Sequence, residues 1–409
     1  MVIQLGGLAR YWRKYLTKVL AMCAVCLSMK LLHDTYQIIN RDTSSPLPVE
    51  NREFVDGTYS QWSILRRNKT KIDIYLEKLK HYVMSTALEE NKHEIKKKII
   101  KVHYFNKPDH VSPTSFDNCP DACTMTYGVN GNLSTSDAVM FQGPPLGITN
   151  PQPPTKIRGQ IWVLHGSEAP VYWMGSLSPW RCLFNWTMSY RRDADIRHSY
   201  GDFRKRQSVL SKIPTALNIP TSFNPVGWFV SHCNTSSKRE LYVEQLTKYV
   251  KTDIYGACGK LVCDFDKFKE CLDRYKFYLS FENAICRDYI TEKVFNIFQI
   301  ASNTIPVVRG FKNQSWMFLP PGSYISTDEF SSPGKLGEYI TKLPNNMTAF
   351  ENYFTWKQFY ESYSYEPNPF CILCRRLHRS ESYRRLYDDI DAWLKGGNQE
   401  FCVGADDVE

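Results

Sequence analysis

The sequence predicts an α/β fold with a parallel sheet in each of two halves, and three observations carry that expectation. At 409 residues, 43% hydrophobic and 23% charged, the chain is long enough to bury two cores. From Trp228 onward short apolar runs alternate with helix-like segments, the order that builds parallel sheets. The unit from Tyr275 to Gly310 is the densest example. An apolar strand, Phe277 to Phe281, delivers Glu282 and Asn283; a helical run opens at Asp288-Tyr289-Ile290-Thr291-Glu292-Lys293; and Ile305 to Val308 returns as a second buried strand.

Residues 1–14 read as a cytoplasmic tail, because Arg10, Arg13 and Lys14 precede an apolar run, Val19 to Met29, and a positive flank stays on that side of a membrane. Residues 15–32 read as a signal-anchor transmembrane segment, short enough that Lys18 and Lys30 would snorkel at its edges. A cleaved signal peptide is the rival, but Ser28-Met29-Lys30 offers no small-residue cleavage site. Residues 33–95 read as a stem: Ser44, Ser45, Pro46 and Pro48 break structure. Ile72, Leu76, Leu79 and Val83 then follow at helical spacing, an amphipathic face suited to a homo-oligomer. The first domain, 96–225, begins with a strand at Ile99 to Phe105. Further apolar runs follow at Ala138 to Phe141 and Ile161 to Leu164, with Pro144, Pro145 and Pro151 to Pro154 between them. The second domain, 226–370, has a strand at Trp228 to Ser231, a helix at Lys238 to Val250 and a strand at Asp253 to Tyr255. The 275–310 unit follows, then a strand at Tyr324 to Ser326 and a helix at Lys335 to Lys342. Residues 371–409 form a closing segment.

A formal net charge of +9 suits nucleic acid, a membrane surface or an anionic donor. Lys96-Lys97-Lys98 and Arg204-Lys205-Arg206 are short and come with no nucleic-acid-binding fingerprint, so no nucleic-acid partner is expected. A helix N-terminus favours phosphate, and Lys293 adds a full charge there. A carboxylate beside that lysine can take ribose hydroxyls, so the unit points to a nucleotide-linked donor. In the first half, Glu168 stands just before Ala169-Pro170 at the end of an apolar strand, one carboxylate at a cleft mouth. A dense block, Phe184 to Asp195 with Tyr200-Gly201, follows it.

Phe277-Tyr278-Leu279-Ser280-Phe281-Glu282-Asn283, followed by Asp288 to Lys293, resembles the signature of the α1,3-fucosyltransferase family, glycosyltransferase family 10. The likeness covers roughly residues 99–380 and is strongest over 184–201, 228–263 and 275–310. Ser231-His232-Cys233 and the stretch Asp253 to Gly259 look closest to the cysteine-rich members that fucosylate the N-glycan core. Lewis-type members, acting on LacNAc or LacdiNAc, share the donor site, so the acceptor stays open. The resemblance implies a GT-B fold: two Rossmann-like domains facing across a cleft, after the anchor and stem. It implies inverting transfer of fucose from GDP-fucose to a GlcNAc of a glycoprotein N-glycan. Glu168 would be the general base, in a turn where Ala169 replaces the usual Ser. Arg239 and Lys293 would stabilise the leaving diphosphate, Glu292 would accept the ribose hydroxyls, and Asn283 and Tyr289 would touch the phosphate–sugar region. Arg309 departs from the pattern, which has a small or apolar residue after the strand. No cofactor is required on this reading, and stimulation by Mn²⁺ is compatible with it. Asp193-Ala194-Asp195 carries the competing reading, a D-x-D metal site in a GT-A-like, Mn²⁺-dependent transferase. From another class, a catalytically silent glycan-binding relative should lack the base or the cations, yet Glu168, Arg239, Glu292 and Lys293 are all present.

Of thirteen cysteines, Cys23 and Cys26 fall in the anchor and eleven lie beyond it, so disulfides with at least one thiol left over are expected. Cys119 and Cys123 with Cys371 and Cys374 could make a four-thiolate zinc site, but an oxidising compartment favours disulfides. The resemblance implies pairs joining the region after Asn118 to Cys371 and Cys374. Cys258, Cys263, Cys271 and Cys286 are expected to pair among themselves. Sequons at Asn68, Asn132, Asn185, Asn234, Asn313 and Asn346 agree with a secretory lumen. Together with the anchor, these features predict a single-pass type II membrane protein with a lumenal catalytic domain, and the resemblance implies the Golgi apparatus as its compartment.

Overall fold

The structure, a computed structural model, describes residues 98–408 except 130, 132, 145–151, 174, 214–224, 302, 364–367 and 398–400. The expected tail, anchor and stem, with Asn68 and Asn132, lie outside the described residues. No described helix is long and apolar enough to cross a membrane.

Six parallel strands form the first sheet: β1 Ile100–Tyr104, β2 Cys123–Tyr127, β3 Ala138–Gln142, β4 Ile161–Gly166, β5 Trp186–Ser189 and β6 Ile196–Arg197, in the order β2-β1-β3-β4-β5-β6. A short strand β7, Asp202–Lys205, follows. The second sheet uses β8 Val226–Phe229, β9 Thr252–Tyr255, β10 Phe277–Phe281, β12 Ile305–Arg309 and β13 Ile325–Ser326, all parallel, in the order β13-β12-β10-β8-β9. Two antiparallel pairs complete the strands: β11 Ile285–Cys286 with β15 Cys402–Val403, and β14 Tyr360–Tyr363 with β7. The helices are α1 Arg239–Leu246, α2 Phe268–Leu272, α3 Glu292–Ile300, α4 Pro333–Lys342, α5 Met347–Asn352, α6 Pro369–His378 and α7 Ile390–Lys395.

Strand periodicity explains why both faces of each sheet are apolar and covered. In the first sheet Ala138, Met140 and Val163 point to one face, against Phe370, Leu373 and Leu377 of α6. Val139, Phe141, Trp162 and Leu164 point to the other, against Trp180, Phe184 and, from α7, Ile390 and Leu394. The C-terminal helices thus complete the N-terminal sheet. In the second sheet Phe277, Leu279 and Phe281 pack with α1 and α4, and Tyr278 packs with Ile297 of α3 on the opposite face.

Cys119–Cys371 and Cys123–Cys374 bind α6 to the first sheet. The expected pairing among the four middle cysteines needs correction. Cys263 joins Cys271, but Cys258 joins Cys233 and Cys286 joins Cys402, because β15 lies beside β11. Cys182 is the free thiol among the described residues. Asn234, Asn313 and Asn346 are exposed. The Asn185 side chain is instead knitted into the fold: its Oδ1 accepts from Lys156 and from the Trp162 N–H, and its Nδ2 donates to the Arg385 carbonyl.

Candidate active site

In a doubly wound sheet, ligands bind where the strand order reverses, beyond the carboxyl ends of the strands. In the second sheet that point lies between β8 and β10, and Arg239, the first residue of α1, fills it. Its Nη1 donates to the Phe281 carbonyl at the end of β10 (2.8 Å), and its Nη2 donates to the His232 carbonyl beyond β8 (3.1 Å). The guanidinium is buried and its Nε has no hydrogen-bond partner among the described residues. Burial pulls its pKa down, and the nearby Glu282 carboxylate opposes that.

Glu282 and Asn283 follow β10 directly. The buried Glu282 carboxylate accepts from the Thr291 N–H and hydroxyl, 2.8 Å each, fixing the N-cap of α3. Lys293 lies 3.4 Å from Glu282, 3.0 Å from Glu292 and 2.9 Å from the Thr291 hydroxyl. Burial alone would lower the lysine's pKa, but Glu282 and Glu292 outweigh it and hold the ammonium charged. Two charged donors, Arg239 and Lys293, therefore flank a carboxylate that no motif reading had singled out as a site residue. Its signal in the sequence was its place at the end of an apolar strand.

Glu168 approaches from the first sheet, just beyond β4. Its Oε1 accepts from the Tyr289 hydroxyl at 2.6 Å, the Ala169 N–H at 2.9 Å and the Asn283 amide at 3.4 Å. Tyr200 braces the same turn by donating to the Ser167 carbonyl, 2.6 Å. Asn283 Oδ1 is buried without a partner among the described residues, and Tyr172 donates to the Asn283 carbonyl. The structure thus brings Glu168, Asn283 and Tyr289 together, and places Arg239, Glu292 and Lys293 around the same strand end. Two of the non-glycine residues with left-handed backbone, Lys238 (φ 47°) and Asp288 (φ 62°), immediately precede Arg239 and Tyr289. Such strain is typically held at functional positions.

Asp193 and Asp195 do not converge on this cluster. Asp193 receives a two-pronged contact from Arg191, 2.8 and 2.7 Å. Asp195 accepts from the Thr187 N–H, the Tyr387 hydroxyl and Arg385 in the seam between β5 and the C-terminal segment. Both carboxylates are engaged in holding the fold, which argues against a D-x-D metal site.

Two parallel sheets, with Glu168 from the first held on Asn283 and Tyr289 at the switch point of the second, have the layout of a group-transfer scaffold. Residues 96–201 match the family model "Fucosyltransferase, N-terminal", and residues 220–393 match "Glycosyltransferase family 10 (fucosyltransferase) C-term". Glycoprotein 3-alpha-L-fucosyltransferase A of Drosophila melanogaster is 35% identical over 293 residues, covering 68% of this chain and 56% of the relative. The 4-galactosyl-N-acetylglucosaminide 3-alpha-L-fucosyltransferase FUT5 of Gorilla gorilla gorilla is 32% identical over 297 residues, covering 71% and 77%. Among solved structures, an α1,3-fucosyltransferase with GDP-fucose aligns at a TM-score of 0.47 and 15% identity, over 71% of this chain and 93% of that one. The chain belongs to the glycosyltransferase family 10 fucosyltransferases. It spans just over half the length of its Drosophila relative.

Proposed function

We propose that the protein is an inverting α1,3-fucosyltransferase that moves L-fucose from GDP-β-L-fucose to a GlcNAc hydroxyl of a glycoprotein glycan, with its two parallel-sheet halves in a GT-B arrangement. The observation that carries this reading is Glu168, held on Asn283 and Tyr289 at the strand end that also bears Arg239 and Lys293. With Oε1 engaged by three donors, Oε2 is the oxygen assigned to the acceptor's proton. The acceptor oxygen bonds to the anomeric carbon as the bond from that carbon to the diphosphate breaks, and the proton passes to Glu168. GDP leaves as an anion that Arg239 and Lys293 neutralise, and Glu292 takes the ribose. The mechanism routes no step through a metal.

The relatives' names divide over the acceptor: one names a glycoprotein, the other a 4-galactosyl-N-acetylglucosaminide. Both allow a GlcNAc acceptor. Five disulfides among the described residues fit an oxidising lumen, in keeping with a type II Golgi membrane enzyme. The deciding experiment offers labelled GDP-fucose with an array of N-glycan cores, LacNAc and LacdiNAc. Product on a core array assigns a core enzyme, and product on LacNAc or LacdiNAc assigns a Lewis type. GDP binding without transfer to any acceptor would favour the silent glycan-binding reading.

A further inference from the structure

Arg309 ends β12 with its side chain 1% exposed. Its Nε and Nη2 donate to the two carboxylate oxygens of Asp407, 2.8 and 2.5 Å, and its Nη1 donates to the Ser237 carbonyl at 2.8 Å. Its guanidinium also lies 5.1 Å from the ring centre of Tyr242 on α1.

Ser237 is not a neutral anchor point. It is fully buried, its hydroxyl donates to the Glu282 carbonyl at 2.7 Å and its N–H to the Asn283 carbonyl at 3.1 Å. Lys238, with left-handed backbone, and Arg239 follow it. The Glu282 N–H in turn donates to the Arg309 carbonyl at 3.1 Å. Arg309 therefore ties the C-terminal segment to both strand-end turns of the crevice, to Ser237 through its guanidinium and to Glu282 through its backbone carbonyl. The segment itself is held by the β11–β15 pair, the Cys286–Cys402 disulfide, and the burial of Ala405 and Val408 in the core of the second sheet.

We propose that Arg309 and Asp407 are positioning residues for the donor site: through Ser237 they set the turn that aims Arg239 and Asn283, and they make the C-terminal segment a working part of that site. This rests on the reading of the crevice as the donor site. A planar guanidinium with two acceptors on one edge and one on another fixes its partners in angle as well as distance. A lysine or an apolar residue at 309 could not do so.

The test measures GDP affinity by calorimetry, donor and acceptor KM and kcat, and melting temperature for wild type, Asp407→Asn, Asp407→Ala and Arg309→Met. Asp407→Asn keeps the shape and one acceptor oxygen, so it serves if the harsher variants fail to fold. A misplaced binding group costs up to about a hundredfold. Asp407→Ala and Arg309→Met are therefore expected to raise donor KM and GDP Kd roughly tenfold, and Asp407→Asn by less, with acceptor KM unchanged. A purely structural pair would lower the melting temperature and the active fraction while leaving donor KM and GDP Kd at wild-type values, and that result overturns the proposal. Failure of the wild-type protein to bind GDP would instead overturn the donor reading, and the inference with it.

Discussion

Glu168 and Lys293 show how much a local motif conveys and where it stops. The turn after β4 was legible as a carboxylate at a strand end, but its partners Asn283 and Tyr289, more than a hundred residues away, were not. Their side chains rest on Glu168, a contact that no spacing in the sequence encodes. Glu168→Gln should keep packing and GDP affinity while turnover falls about 10²–10⁴-fold, since a neutral amide cannot take the acceptor's proton. Calorimetry and product release on one preparation check it, and unchanged turnover would remove Glu168 from the mechanism. Lys293 is less simple than its place at a helix start implied, because it also neutralises the buried Glu282. Lys293→Ala should therefore lower stability by about 3 kcal/mol as well as donor affinity, leaving a buried carboxylate uncompensated. Lys293→Met with Glu282→Gln should restore the melting temperature but still bind GDP at least about tenfold more weakly, the loss of a charge-assisted contact. Recovery of both properties in the double variant would show that Lys293 serves folding alone.

Elements with an apolar core of their own were legible, and those completed by distant chain were not. Phe277 to Phe281 is a strand as read, and Ile161 to Leu164 and Ala138 to Phe141 extend by only a residue or two. The helix expected over Lys238 to Val250 stops at Leu246, where successive turns take over. The edge strand β2 was missed because its residues are largely exposed and carry no continuous apolar run. The resemblance implied the disulfide tie of α6, but its packing was not legible, because its apolar face is matched to a sheet formed some two hundred residues earlier. Replacing Cys371 and Cys374 with Ser should cost roughly 3–5 kcal/mol, by freeing long loops in the unfolded chain, and chemical denaturation would measure it. Beside α6, the His165 and His198 rings bond at 2.8 Å within the first sheet. Burial, with His110 adding like charge, holds the His198 pKa at about 4. An unfolded histidine titrates near 6.5, so the unfolded chain takes up a proton that the folded one refuses. Stability present above pH ~6.5 is then lost as pH falls towards 4, by roughly 3 kcal/mol for one such group. Thermal melts between pH 7 and 4.5 should show that slope, and His198→Gln should flatten it.

The two carboxylates of the D-x-D triplet bear on the molecule as a whole, since Asp195 joins β5 to the segment carrying Tyr387 and Arg385. Activity should therefore survive EDTA, while Asp195→Asn should lower the melting temperature more than it changes donor KM. Complete loss on chelation, restored only by Mn²⁺, would reverse that conclusion. The same long-range closure governs the order in which the protein can be built during synthesis. Strands β1 to β6 leave the ribosome first, yet Phe370, Leu373 and Leu377 cover one of their faces, and Ile390 and Leu394 help to cover the other. The second sheet draws its core almost wholly from residues 226–354 and can close earlier, though it is translated later. The nascent first half must therefore wait with one apolar face open and the other only partly covered, and with Cys119 and Cys123 facing partners 252 and 251 residues downstream. During that interval it is a natural client for chaperones and thiol exchange, so a ribosome stalled short of Pro369 would leave the first-made half as the part most exposed to aggregation.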